Sequence, residues 1–157
     1  NILNTYTMEE KLKIAEQKRK TTLFIYFMLL AMSLSFFIMI FTGILPPRAA
    51  DDTEILYEAE LVAVASLALI PFGIVLFNKM IKKANRENIA EWCNSYYSYI
   101  LIRTSCCVMP IFTGSALYFI SEKETFLYYT VFGLIATIYV YPSKRELIKL
   151  LNGETEK

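Results

Sequence analysis

Tyr96-Tyr-Ser-Tyr-Ile-Leu-Ile-Arg103-Thr-Ser-Cys106-Cys107-Val-Met-Pro110-Ile-Phe-Thr-Gly114-Ser-Ala-Leu-Tyr-Phe-Ile120 is the third of four long apolar runs, and the one with an ionisable residue well inside it. Its length decides the fold. Crossing roughly 30 Å of hydrocarbon as a helix takes about 20 residues. Four segments reach that length, about 22–45, 59–78, 97–120 and 124–142. No alternation over ten-residue segments recurs, so a β-barrel is not indicated. The chain of 157 residues is 55% hydrophobic, with a mean hydropathy of +0.40, and its apolar residues are gathered into runs rather than dispersed. The reading is an all-α antiparallel bundle of four transmembrane helices in a single membrane domain, not a soluble domain.

Charge orients the bundle. The net charge of +1 hides an uneven distribution. Lys11, Lys13, Lys18, Arg19 and Lys20 precede the first run, Lys79, Lys82, Lys83 and Arg86 follow the second, and Lys144, Arg145, Lys149 and Lys157 follow the fourth. The two opposite loops hold only Arg48 and Lys123 as cations. An excess of Lys and Arg marks the cytoplasmic side, so both termini are expected there. Asp51, Asp52, Glu54, Glu58, Glu60, Glu122 and Glu124 make the other face acidic. Without an Asp-x-Asp-x-Asp-Gly loop, those acids read as helix starts and solvated surface rather than a cation site.

The flanks are expected to be amphipathic cytoplasmic arms. Thr7-Met-Glu-Glu10 and Ser143-Lys-Arg-Glu146 both have capping-box spacing, a hydroxyl three residues before a carboxylate. They open arms over about 8–20 and 144–151, expected to lie along the headgroups. The first apolar run is too long for a signal-peptide core. Pro46-Pro47 is expected to end the first span and Pro142 the last. The second span carries small residues at Ala59, Ala63, Ala65, Ser66 and Ala68 and so reads as the most buried helix, with Pro71 and Gly73 bending it. Trp92, Tyr96, Tyr97 and Tyr99 read as an interfacial aromatic belt. Beside a membrane, that mixture of basic and aromatic residues is ordinary, and it does not indicate nucleic acid.

Within the third run, Arg103 is the candidate contact for an anion or lipid. Its stem can carry the guanidinium back to the headgroups or toward a structural contact, which is the preferred reading, or it can face the bundle interior as a site. Cys106, Pro110 and Gly114 recur every four residues as a narrow packing stripe. Cys106, Cys107 and Met109 are the candidate set for a soft metal or thiol chemistry. Adjacent helical residues diverge by about 100°, and the chain has no histidine, so small packing cysteines are preferred and no cofactor is expected. Cys93 falls on the expected cytoplasmic side, and no disulfide framework is present.

Ile-Phe-Thr-Gly occurs at 40–43 and again at 111–114, the mark of a faint repeat of two parallel hairpins. A proton-carrying rotor would need a carboxylate at mid-membrane, and spans two to four have none. Tyr99-Ile-Leu-Ile-Arg103 and Tyr141-Pro-Ser-Lys-Arg-Glu-Leu-Ile148 resemble motifs of uncharacterised small four-span bacterial membrane proteins, those of Bacteroidetes especially. In these an Ile-Ile-Arg motif opens span three and a Pro-Thr-Lys motif closes span four. The resemblance implies a multi-pass protein of the bacterial inner membrane and brings no activity with it. Such proteins often place a glutamate after the arginine in span three, where this chain has Cys106-Cys107.

With no histidine and no embedded carboxylate to act as a base, an enzyme is not expected. A non-catalytic scaffold or interaction subunit, with the bilayer and a membrane partner or further copies of itself as partners, leads the reading. An oligomeric channel or transporter component comes second, and intramembrane thiol or metal binding third.

Overall fold

In the computed structural model, which describes residues 7–46, 53–84 and 88–152, the chain is all-helical over those segments. Helix α1 spans Met8–Phe41, α2 Thr53–Lys83, α3 Ile89–Ser121, α4 Thr125–Tyr139 and α5 Lys144–Leu151. Pro47, Arg48, Asp51, Asp52, Arg86 and Lys157 lie outside the described residues, as does the side chain of Glu54.

Three helices, α1 to α3, are long and apolar enough to cross a membrane. The expected fourth span differs. At 15 residues, α4 is only about 22 Å long, short of a full crossing. The chain then turns by 55° into α5, and only the bent pair together passes as a fourth span. Pro142 sits in that break. It has no N–H to continue the ladder, and it disfavours helix at the residue before it.

The first arm also departs from expectation. Thr7 caps α1 with the full reciprocal capping box to Glu10, but the helix then runs unbroken through Lys20 into the apolar run. Nothing in residues 8–41 interrupts it, because they contain neither Gly nor Pro. The helix stops at Phe41, before the prolines, with Gly43 at φ 75°. Glycine enters that left-handed region without a Cβ clash.

The most enclosed helix is α3, not α2. The best apolar window of α3 is 56% buried, against 22% for α2 and 17% for α1. It packs against α1, α2 and α4 at once. Each neighbour lends it a single stripe. On α1 this is Ala15, Thr22, Tyr26, Ser33 and Ile40, on α2 Ala59, Ala63, Ser66, Gly73, Phe77 and Ile81, and on α4 Phe126, Thr130, Gly133 and Ala136. Spacings of three, four and seven residues keep each stripe on one face. The small residues of α2 therefore form a seat for α3 rather than burying α2 all round. Several buried hydroxyls are satisfied within their own helices: Thr22 donates to the Lys18 carbonyl at 2.9 Å, Ser66 to Ala63 at 2.7 Å and, on α3, Ser115 to Ile111 at 2.7 Å.

The packing glycines of α3 and its neighbours are true close approaches. A Cβ at Gly73 would lie 2.6 Å from Cys106 Cβ, and one at Gly133 would lie 2.9 Å from the Ile111 amide nitrogen. Gly114 faces α4, where a Cβ would stand 2.7 Å from the Phe126 carbonyl oxygen. The stripe Cys106, Pro110, Gly114 thus divides between two partners, Cys106 meeting α2 while Pro110 and Gly114 meet α4. Pro71 and Pro110 both sit inside continuous helices. The Ile-Phe-Thr-Gly repeat has no structural counterpart. Gly43 ends a helix, whereas Gly114 lies within α3 against its neighbour.

Candidate functional site

The basic end of the bundle holds the largest buried cluster, in which Ala15, Phe77, Ile81, Trp92, Tyr96, Ile100, Leu147 and Leu150 come together from α1, α2, α3 and α5. Leu147 and Leu150, one turn apart on α5, turn inward and are 0% and 7% exposed. The second arm is amphipathic as expected, but its apolar face covers protein rather than lying along a membrane surface. Trp92 and Tyr96 likewise leave the expected aromatic belt. They are 1% and 0% exposed and stacked with centroids 5.4 Å apart. One helical turn separates them, so both fall on the face of α3 that α1 and α5 cover.

Arg103 lies three residues beyond Ile100 along α3, with its side chain 7% exposed. Its guanidinium does not reach out of the bundle. Nη1 donates to Glu146 Oε1 at 2.6 Å and Nη2 to Glu146 Oε2 at 3.1 Å, a two-pronged ion pair. Nη2 also donates to the Val140 carbonyl at 3.1 Å, one of the carbonyls left free where α4 ends. The Phe77 ring closes the other side, 4.0 Å from the guanidinium carbon. Arg103 thereby ties together α2, α4 and α5 at the 55° bend. Its Nε is buried with no hydrogen-bond partner among the described residues.

Glu146 is the residue that sequence reading assigned to a different task. Its backbone N–H donates to Ser143 Oγ at 3.1 Å, so the hydroxyl half of the expected capping box forms. Its carboxylate turns to Arg103 instead of back to the Ser143 amide. One signal was present in the sequence: Glu146 is the single acid between residues 125 and 153, hence the one local counter-charge for a buried cation. The arginine–glutamate pair is thus made between helices, and the glutamate is supplied 43 residues downstream of Arg103.

A second set of contacts binds α1 to the same bend. Tyr26 donates its hydroxyl to the Thr137 carbonyl at 2.7 Å and packs edge-on against Tyr141. Arg19 Nη1 donates to the Pro142 carbonyl at 3.4 Å, and Lys144 pairs with Glu16 at 3.2 Å. Beside the Arg103–Glu146 pair opens a cavity of about 480 Å³ between α2, α4 and α5, with Lys82, Arg145 and Lys149 among its lining residues.

The candidate thiol set does not converge. Cys107 is fully buried among Ile70, Ile74, Ala136 and Val140. Cys106 packs against Gly73, and Met109 points outward at 46% exposure. Among the described residues, no group of three His, Cys, Asp or Glu side chains is placed to hold a metal ion. A comparison with protein-family models, curated proteins and solved structures finds no match for this chain.

Proposed function

We propose that this chain is a multi-pass protein of the bacterial inner membrane that acts as a non-catalytic scaffold or interaction subunit. It crosses four times as an antiparallel bundle, with both termini cytoplasmic, and belongs with the small four-span bacterial proteins that its Arg103 and Tyr141–Ile148 motifs resemble. The fourth crossing is made by α4 and α5 together. Orientation rests on the concentration of lysine and arginine at the end where α1 begins and α5 packs.

The observation that carries the scaffold reading is how Arg103 is used. A conducting or catalytic role asks a buried cation to face a ligand or a water path. Here it is engaged internally by Glu146, Val140 and Phe77. What α1 and α2 offer to their surroundings is apolar, with Phe24, Met28, Met32, Val64, Phe72 and Val75 all exposed. Such faces suit lipid, a membrane partner or further copies of the chain.

Two measurements test this. In proteoliposomes, chloride and phosphate flux should not exceed that of empty vesicles, and sustained flux lost on Arg103→Met would refute the scaffold reading. For topology, single cysteines at 13, 123 and 149 in a background lacking the native thiols are treated with an impermeant maleimide from the outer side. Labelling of 123 alone is expected; labelling of 13 or 149 instead overturns the orientation.

A further inference from the structure

The cavity beside Arg103 adjoins a second one. It shares Ile74 and Tyr139 with this open depression of about 340 Å³ on the α2–α4 seam, whose other walls include Leu67, Ile70, Phe132 and Ile135. The two differ sharply in chemistry. The first is lined by Lys82, Arg145 and Lys149 around the Arg103–Glu146 pair, and the second is apolar throughout. Once Arg103 and Glu146 neutralise each other, Lys82 and Arg145 alone leave the first lining positive.

From this adjacency we propose that the α2–α4–α5 seam binds one anionic phospholipid lengthwise, its phosphate in the basic cavity and an acyl chain along the apolar groove. Three features support that occupant. Lys82 and Arg145 are exposed at the mouth, where they can meet a phosphate without dismantling the buried pair. The cavity lies at the bend, at the basic end of the bundle, where an anionic headgroup meets juxtamembrane cations. The groove is open along one side, as entry of a chain from the bilayer requires. A free phosphate ester would fill the cavity and leave the groove unused. A zwitterionic headgroup would bring its own cation next to Lys82 and Arg145.

The proposal rests on the membrane-spanning part of the reading above and not on the scaffold role, so its failure would leave flux and topology results untouched. The test uses the full chain in phosphatidylcholine nanodiscs containing a minority of phosphatidylglycerol, analysed by native mass spectrometry. One retained phosphatidylglycerol per chain is expected. Replacing two exposed cations, Lys82→Gln with Arg145→Gln, should lower its retention about tenfold. The matched control, Lys13→Gln with Lys20→Gln, removes the same charge at the same end outside the cavity and should retain the lipid. Unchanged Trp92 fluorescence in both variants would show that the basic-end core persists. Equal loss in test and control, or equal retention of phosphatidylcholine, would overturn the proposal. Displacement of the lipid by an equal concentration of glycerol 3-phosphate would also overturn it, assigning the cavity to a free phosphate ester.

Discussion

Removing the carboxylate of Glu146 should cost more stability than removing the guanidinium of Arg103. The pair is made at 2.6 and 3.1 Å, but its two members are unequally enclosed, with side chains 7% exposed for Arg103 and 26% for Glu146. Unit charges about 4 Å apart attract by about 4 kcal/mol at an effective dielectric constant near 20. Most of that offsets the desolvation of the two ions, so the formed pair contributes little net stability. Breaking it is another matter, because the remaining charge has lost its water. Glu146→Gln leaves the buried arginine held by the Val140 carbonyl and one neutral amide, at a cost of about 3 kcal/mol. Arg103→Met keeps the packing against Phe77 and leaves a carboxylate that water can reach, at about 1–2 kcal/mol. The double variant should lie closer to wild type than the sum of the two, with a coupling of about 1–2 kcal/mol. Unfolding in detergent is followed through the chain's one tryptophan, Trp92, which reports on the core that α5 covers. Equal and additive losses below about 0.5 kcal/mol would refute the reasoning, since they would mean that α5 does not carry Glu146 to Arg103.

Further outcomes follow from the packing and from where the thiols lie. Gly114→Ala meets backbone atoms of Phe126 and Thr130 at 2.7 and 2.8 Å and should cost about 1–3 kcal/mol in the same unfolding assay. Gly73→Ala meets Cys106 Cβ, so Cys106→Gly should partly rescue it, while Cys106→Ala, which keeps the Cβ, should not. Glu122 joins α3 to α4 at φ 56°, and Glu122→Gly should raise stability by about 0.5–1 kcal/mol; a loss would show that the left-handed turn is not populated. Cys93 and Cys107, 1% and 0% exposed, should resist maleimide until the protein is denatured. Cys106→Ser with Cys107→Ser should leave copper and zinc content unchanged, and loss of stoichiometric metal would reinstate the thiol reading.

Helicity, the presence of three membrane-length apolar runs and both hydroxyl caps were legible in the sequence because they depend on near neighbours, whereas the helices overrun those runs at their ends. Hydropathy runs, the Thr7–Glu10 spacing and the prolines each act within a few residues. Which helix is enclosed was not legible. Small residues on α2 permit close approach, but only the assembled bundle shows that α3 occupies the place between three neighbours. Apolar composition is the same toward lipid as toward protein, so burial leaves little trace in hydropathy. The partner of Arg103 was a tertiary matter for a different reason. A charge finds its counter-ion through space, and Glu146 reaches it because Pro142 breaks the chain and Leu147 and Leu150 draw α5 onto the core. The sequence by itself determined an all-helical, membrane-length chain with one strongly basic end. Tertiary packing decided that its arginine is enclosed, paired and set beside a basic cavity, since those properties depend on distances between helices that no local pattern encodes.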